Sequence, residues 1–292
     1  MPFLNRLRRW AFVRILVEAI AIIATVAISS RLLSLGIPTE PGALHSSLTL
    51  LRNLIVAGLA LGVYVLVIRW LERRRAIELD LRPGAVHFPL GGALGIALMA
   101  IVYGILWAAQ MAVFGSGDGL THLAGGLVAT LLAAVFEELL FRAVLFRILE
   151  QAFGTSVALV GSALVFGFAH GINPGATLIG DVAIMIEAGL LLGAAYALTR
   201  NLWLAIGIHA GWNFTEGSVF GVSVSGQPAT ASFFHSMLKG PDLLTGGAFG
   251  PEASLIAVAV CGLAALILGI LVYRRGGWLR PALRLSLGDG PV

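Results

Sequence analysis

Eight apolar runs separated by short polar connections constrain this chain more than anything else in its sequence. They span 12–35, 50–70, 88–114, 121–149, 155–172, 176–199, 202–221 and 253–273. Each is close to the roughly 20 mostly apolar residues that a helix needs to cross the hydrocarbon core of a bilayer. Composition agrees: of 292 residues, 58% are hydrophobic and only 12% charged, and the mean hydropathy is +0.94. Soluble domains carry about 25% charged residues, so disordered chains, disulfide scaffolds and most soluble globular folds are excluded. The 37 glycines suit helices that approach closely in lipid. The expectation is an all-α, polytopic membrane protein of about eight transmembrane helices. Residues 1–292 read as a single integral membrane domain, with no internal repeat and no low-complexity tail.

Charge supplies the orientation. The 19 basic residues are 18 Arg and Lys239, and the pI is near 9.8. That balance would admit a nucleic-acid partner, but the arginines lie between the apolar runs, as membrane orientation requires, so none is expected. Arg6, Arg8, Arg9 and Arg14 open the chain, and Arg69, Arg73, Arg74, Arg75 and Arg82 fill the second connection. Arg147 and Arg200 mark the fourth and sixth connections, and Arg274, Arg275, Arg280 and Arg284 follow the last run. The odd connections hold little beyond Arg31, Arg52 and Lys239. A multi-pass protein of the cell membrane with both termini cytoplasmic satisfies this bias and leaves 222–252 outside. That loop is rich in Gly, Ser and Pro, yet carries Phe233-Phe234 and Leu243-Leu244, so it reads as folded against the membrane face. The basic start of the first run resembles a secretory signal, but Arg14 and Glu18 interrupt it and it is long, so an uncleaved helix is expected. Cys261 is the only cysteine, which excludes an intramolecular disulfide.

The chemistry lies in the polar residues inside the runs. An ionisable side chain at a helix centre costs about 2.5–3.5 kcal/mol on insertion scales, so such residues are usually paired or functional. The fourth run reads Phe136-Glu137-Glu138-Leu139-Leu140-Phe141-Arg142. Glu138 and Arg142 are i, i+4 and can form an ion pair. Glu137 lies about 100° further round and has no partner on its own helix. The helix could end at Phe136 and leave these charges in water, but the apolar helical pattern continues through Leu139-Leu140-Phe141, Val144-Leu145-Phe146 and Ile148-Leu149. The cluster is therefore expected within the membrane, facing the bundle or a wet cavity. His170 ends the fifth run, and His209 and Asn213 share a face of the seventh. A lone membrane histidine is more often a packing residue. Two His, one Asn and two Glu on three helices instead supply the groups that activate a water and stabilise an oxyanion. Asp181 and Glu187 sit in the sixth run, Asp181 near its start and Glu187 deeper, either bonded within the bundle or lining the site.

Three motifs carry a resemblance: Glu137-Glu138-Leu-Leu-Phe-Arg142, Phe166-Gly-Phe-Ala-His170 and His209-Ala-Gly-Trp-Asn213. In order and on separate predicted helices, with Thr199-Arg200-Asn201-Leu202-Trp203 ahead of the last, they resemble the CPBP (Abi/CAAX protease) family of intramembrane proteases, which includes the type II CAAX prenyl endopeptidases. The resemblance covers a catalytic core at about 120–220. It implies membrane helices around an embedded cavity, and peptide-bond hydrolysis without a covalent intermediate. Carried over, it makes Glu137 the base that activates water and His170 a residue that holds that water. His209 and Asn213 would steady the oxyanion, with Glu138 and Arg142 orienting the site. The implied substrate is a hydrophobic, lipidated or membrane-associated peptide or protein in the lipid bilayer.

Metal use is left open by the residues. Glu137, His170 and His209 could supply a Zn²⁺ site with an open position. The glutamate would then be a ligand and no longer a free base, and no His-Glu-x-x-His spacing is present. No cofactor and no catalytic metal is the favoured expectation. Two other functions compete: a non-catalytic membrane protein, such as an immunity factor or scaffold, that retains the motifs, and a proton-coupled carrier built on intramembrane Glu and His. The complete motif set favours the protease, and the absence of a half-to-half repeat counts against the carrier. His170 and His209 start near opposite ends of their runs, so they can meet only near mid-depth, with tilt or a break at the Gly171-Ile172-Asn173-Pro174-Gly175 string.

Overall fold

The computed structural model describes residues 10–40 and 42–280. Arg6, Arg8, Arg9 and Arg284, which entered the charge count above, lie outside the described residues. The apolar runs form α1 (Ala11–Ser34), α2 (Ala43–Leu71) and α3 (Leu81–Ala108). Helix α4 is continuous from Leu123–Glu138 through a π-helical segment, Leu139–Phe146, to Arg147–Phe153. After α5 (Thr155–Ala169) come α6, which joins Leu178–Ile184, the π-helical Met185–Leu190 and Leu191–Thr199, and α7, which joins Leu202–Asn213 and the π-helical Phe214–Phe220. The last helix is α8 (Leu255–Arg274). The fold is helical almost throughout. Its described exception is an antiparallel pair, β1 (Ala112–Ser116) and β2 (Phe234–Leu238), in the register Ala112↔Leu238 to Ser116↔Phe234.

Among the described residues, seven helices are long and apolar enough, by length and composition, to cross a membrane. The run 202–221 falls below that apolarity, although its helix runs the length of the bundle beside α3. His209, Asn213, Thr215 and Glu216 lower its apolarity, and nearly all of Leu202–Trp212 is buried. An interior helix can carry these polar groups because it faces protein and a cavity instead of lipid.

Glycine sets where α7 lies. A Cβ at Gly91 would run into the backbone of Leu204, one at Gly95 into that of Ile208, and one at Gly211 into that of Gly92. The contacts advance together along both helices, from Gly84 against Trp203 to Gly95 against Trp212, so α3 and α7 run in parallel at backbone contact. Small residues allow that approach, and close packing substitutes for the hydrophobic drive that lipid removes. Arg200 takes a left-handed conformation (φ 54°) that turns the chain from α6 into α7, and the Asn201 side chain caps Trp203 N.

The arginine-rich connections gather at one end of the bundle. Arg147 donates to Glu72 at 2.8 Å and to Glu18 at 2.8 Å. Arg14 pairs with Glu72 and donates to Gln151 at 2.8 Å. Arg74 bridges Glu72 and Glu78, and Arg200 pairs with Glu150. Arg14 and Arg147, which the sequence presents as orientation charges, are thus buried members of one ion-pair network. The positive-inside rule is the ground for expecting this end on the cytoplasmic side. The opposite end is closed by β1–β2 and the 222–252 segment, where the Tyr103 and Phe220 rings stack 3.8 Å apart beneath Phe114. Cysteine labelling tests the assignment: with Cys261→Ala as background, an impermeant reagent on intact cells should modify His235→Cys and spare Arg75→Cys. The reverse pattern would invert the topology.

Burial alone would raise the carboxyl of Glu72, but Arg147, Arg14 and Arg74 outweigh it and hold the group below its ordinary value. A depressed carboxylate contributes stability above its unfolded pKa and loses it as pH falls through the folded one. The contribution of Glu72 should therefore be constant near neutrality and be lost below about pH 4.3, so the acid limb of thermal stability should be less steep in Glu72→Gln. Equal acid slopes would show that the network does not govern acid stability.

Candidate active site

The three motifs converge. Helix α4 runs unbroken past its charges, so the alternative that it ends at Phe136 is wrong. Glu138 and Arg142 are almost fully buried, at 0% and 1% exposure. The i, i+4 pair forms as spaced, Arg142 Nη1 donating to Glu138 Oε1 at 2.7 Å. The other end of the guanidinium donates to the carbonyls of Ala188 (3.1 Å) and Gly189 (3.4 Å) on α6, and its carbon lies 4.4 Å from the Phe166 ring centroid. A π-helical segment leaves backbone carbonyls and side chains out of the regular ladder and recurs at functional sites. Here all three such segments carry buried ionisable groups: Arg142, Glu187 and Glu216.

Glu137 points away from this pair toward the two histidines. Its Oε2 lies 3.7 Å from His170 Nε2 and 3.8 Å from His209 Nε2, and has no hydrogen-bond partner within the protein although it is buried. The other ring nitrogens set the tautomers. His170 Nδ1 lies 2.8 Å from the Phe166 carbonyl, and His209 Nδ1 lies 2.9 Å from Glu138 Oε1. A carbonyl and a carboxylate can only accept, so both Nδ1 atoms donate. In neutral rings both Nε2 atoms are then acceptors, facing an acceptor oxygen. Three acceptors turned on one point create a place for a donor: a water molecule, or a proton shared among them.

Short α5 and long α7 bring this about. Helix α5 stops at Ala169 and His170 begins a tight 3₁₀ turn, Gly175 then pairing with Gly226 of the outer segment, whereas His209 lies midway along Leu202–Phe220. The meeting at mid-depth, with a break at the Gly-Pro string, is what the sequence required.

Glu137, His170 and Asn213 line a cavity of about 330 Å³, walled also by Thr130, Ser218, Val224, Ser225 and residues 227–230. Asn213 and His209 also line a smaller cavity of about 20 Å³ with Glu187 and Glu252. Glu187 is buried and its Oε1 has no partner. Among the described residues, no three His, Cys, Asp or Glu side chains are arranged to hold a metal ion.

The structure adds residues that the motifs did not assign. Phe166, quoted above only as a motif letter, touches Arg142 and packs its ring 4.7 Å from that of His170. Asn173, Ser225, Gln227 and Glu252 lie outside the motifs, and the 222–252 segment, read as resting on the membrane face, reaches into the cavity wall. Glu252 had one available signal, an acid at the mouth of an otherwise apolar run.

Residues 119–215 match a family model described as Type II CAAX prenyl endopeptidase Rce1-like. The segment contains all three motifs, so the family read from them is the one found. The match covers about a third of the chain and makes this segment similar to CAAX-type intramembrane proteases, within a chain whose helices are those of a multi-pass membrane protein. No curated protein and no solved structure matches the chain.

Proposed function

We propose, taking residues 119–215 as a type II CAAX prenyl endopeptidase-like segment, that this protein is an endopeptidase cleaving a hydrophobic, lipidated or membrane-associated substrate with a water activated by Glu137. The observation that carries the reading is the orphaned Glu137 Oε2 between two imidazole Nε2 atoms at the wall of the larger cavity. A water seated there gives one proton to Glu137 while its oxygen bonds to the scissile carbonyl carbon. The C–O π electrons move to oxygen, and the resulting oxyanion is met by the Asn213 amide. His209 adds a second donor when it carries both ring protons, a form compensated by Glu138 at its Nδ1. Collapse breaks the C–N bond and Glu137 returns the proton to the leaving amine; the carboxylic acid formed keeps the water's second proton and then loses it to solvent, leaving a carboxylate and an amine. His170 holds the water, and Arg142 fixes Glu138. No step uses a metal.

The test is cleavage of a fluorogenic prenylated peptide and its unlipidated counterpart by purified protein in lipid nanodiscs. Wild type should cleave the lipidated peptide and Glu137→Ala should not. Equal inactivity of both on every hydrophobic peptide offered would favour the non-catalytic reading. Asn213→Ala should lower kcat by about 10²–10³, as for one oxyanion donor, with KM little changed. A pure KM effect would place Asn213 in substrate binding. Chelators should leave the rate intact. Loss in chelator that returns only with Zn²⁺ would make Glu137, His170 and His209 metal ligands.

A further inference from the structure

Glu252 lies outside the matched family segment, at the entrance to α8, yet it is 2% exposed and holds parts of both catalytic walls. Its Oε1 accepts from Trp212 Nε1 at 3.0 Å. Its Oε2 accepts from Ser225 N at 2.6 Å and from Ser225 Oγ at 2.8 Å. Trp212 is the residue before Asn213. Ser225 in turn accepts, through its carbonyl, a bond from Asn173 Nδ2 at 2.7 Å, and Asn173 N donates to the His170 carbonyl at 3.0 Å. One carboxylate therefore ties the histidine-bearing end of α5 to the asparagine-bearing face of α7.

Ser225 also stands in the left-handed region at φ 50°, followed by Gly226 at 77°. A non-glycine residue there costs about 1 kcal/mol or more and persists only where its surroundings hold it. Two of its polar groups end on Glu252. The turn so held, Val224–Gln227, lines the larger cavity beside Glu137 and Asn213. A buried carboxylate with three donors and no cation among its bonded partners is an acceptor hub.

We infer that Glu252 is a positioning residue: it fixes the Val224–Gln227 turn as a wall of the cavity and, through Trp212, sets Asn213 for the oxyanion. The kinetic part rests on the proteolytic reading above, and the structural part does not. The test variant is Glu252→Gln, which keeps the shape and removes one acceptor.

Two measurements separate the parts. Amide hydrogen exchange across 222–228 should accelerate by about tenfold or more in Glu252→Gln while the helices stay protected. Unchanged exchange there overturns the proposal whatever the activity. Kinetically, kcat should fall about 10–10²-fold with KM within about twofold, as a misplacement of roughly 1 Å costs. In an Asn213→Ala background the further loss should be much smaller, because the two changes remove one function. Wild-type kcat, or full multiplication of the two losses, overturns the positioning role. Should Glu252→Gln fail to fold, Ser225→Ala removes one of the three bonds and should give a smaller change in exchange and kcat in the same direction; no change in either overturns the proposal. Accelerated exchange in Glu252→Gln together with a wild type that cleaves nothing would reject proteolysis and leave the anchor standing.

Discussion

Glu137→Gln is expected to lower kcat/KM by about 10²–10⁴, the range for loss of a general base, while the protein folds and inserts as wild type. The amide keeps the shape of the carboxylate. Oε2 has no partner inside the protein, so replacing its carboxyl breaks no internal hydrogen bond at that atom. On the proposed mechanism, what is lost is the ability to take a proton from a water held between Glu137, His170 and His209. Histidine variants should differ from this. His170→Ala removes an acceptor that steers the water and breaks a bond to the Phe166 carbonyl, so rate and stability should fall together. Full activity in Glu137→Gln, measured on a substrate that wild type cleaves, would end the general-base proposal.

Arg142→Ala should cost about 3–5 kcal/mol of stability, the range for removing one partner of a buried ion pair. Glu138 would be left at 0% exposure without its guanidinium, and the carbonyls of Ala188 and Gly189 would lose their donor. Activity should fall as well, because Glu138 Oε1 is also the acceptor that orients His209. Arg142→Lys should recover only part of either loss, since an ammonium cannot span Glu138, two α6 carbonyls and the Phe166 face in one plane. Thermal unfolding in detergent, read beside the cleavage rate, decides. A wild-type melting temperature with lost activity would move Arg142 from bracing into contact with the reacting groups.

Much of this site was legible because its signals are local. Spacing put Glu138 with Arg142, and His209 with Asn213, on shared helix faces. Apolar residues beyond Arg142 kept the cluster inside the helix. Other residues were misread because local pattern is silent about neighbours. Arg14 and Arg147 look like orientation charges in a connection, and only their contacts with Glu72 and Glu18 show them to be buried. Residues 202–221 do run the length of the bundle, but only the packing of α7 on α3 shows that this helix lies in the interior.

The sequence by itself determined that the chain would be membrane helices, roughly where each begins and ends, and which ionisable groups would be too costly to bury without a partner or a task. Those properties follow from hydropathy and from 3.6-residue periodicity, which act over a few turns. Only the tertiary structure decided that His170 and His209 turn their Nε2 atoms on the same oxygen of Glu137. It alone decided that one acid at the start of α8 holds Ser225 and Trp212 together across the site. The bonds of Glu252 to Ser225 and Trp212 join residues 27 and 40 positions apart. They depend on which helix faces present glycine to one another, and side-chain packing between helices settles that, whereas hydropathy within one helix does not.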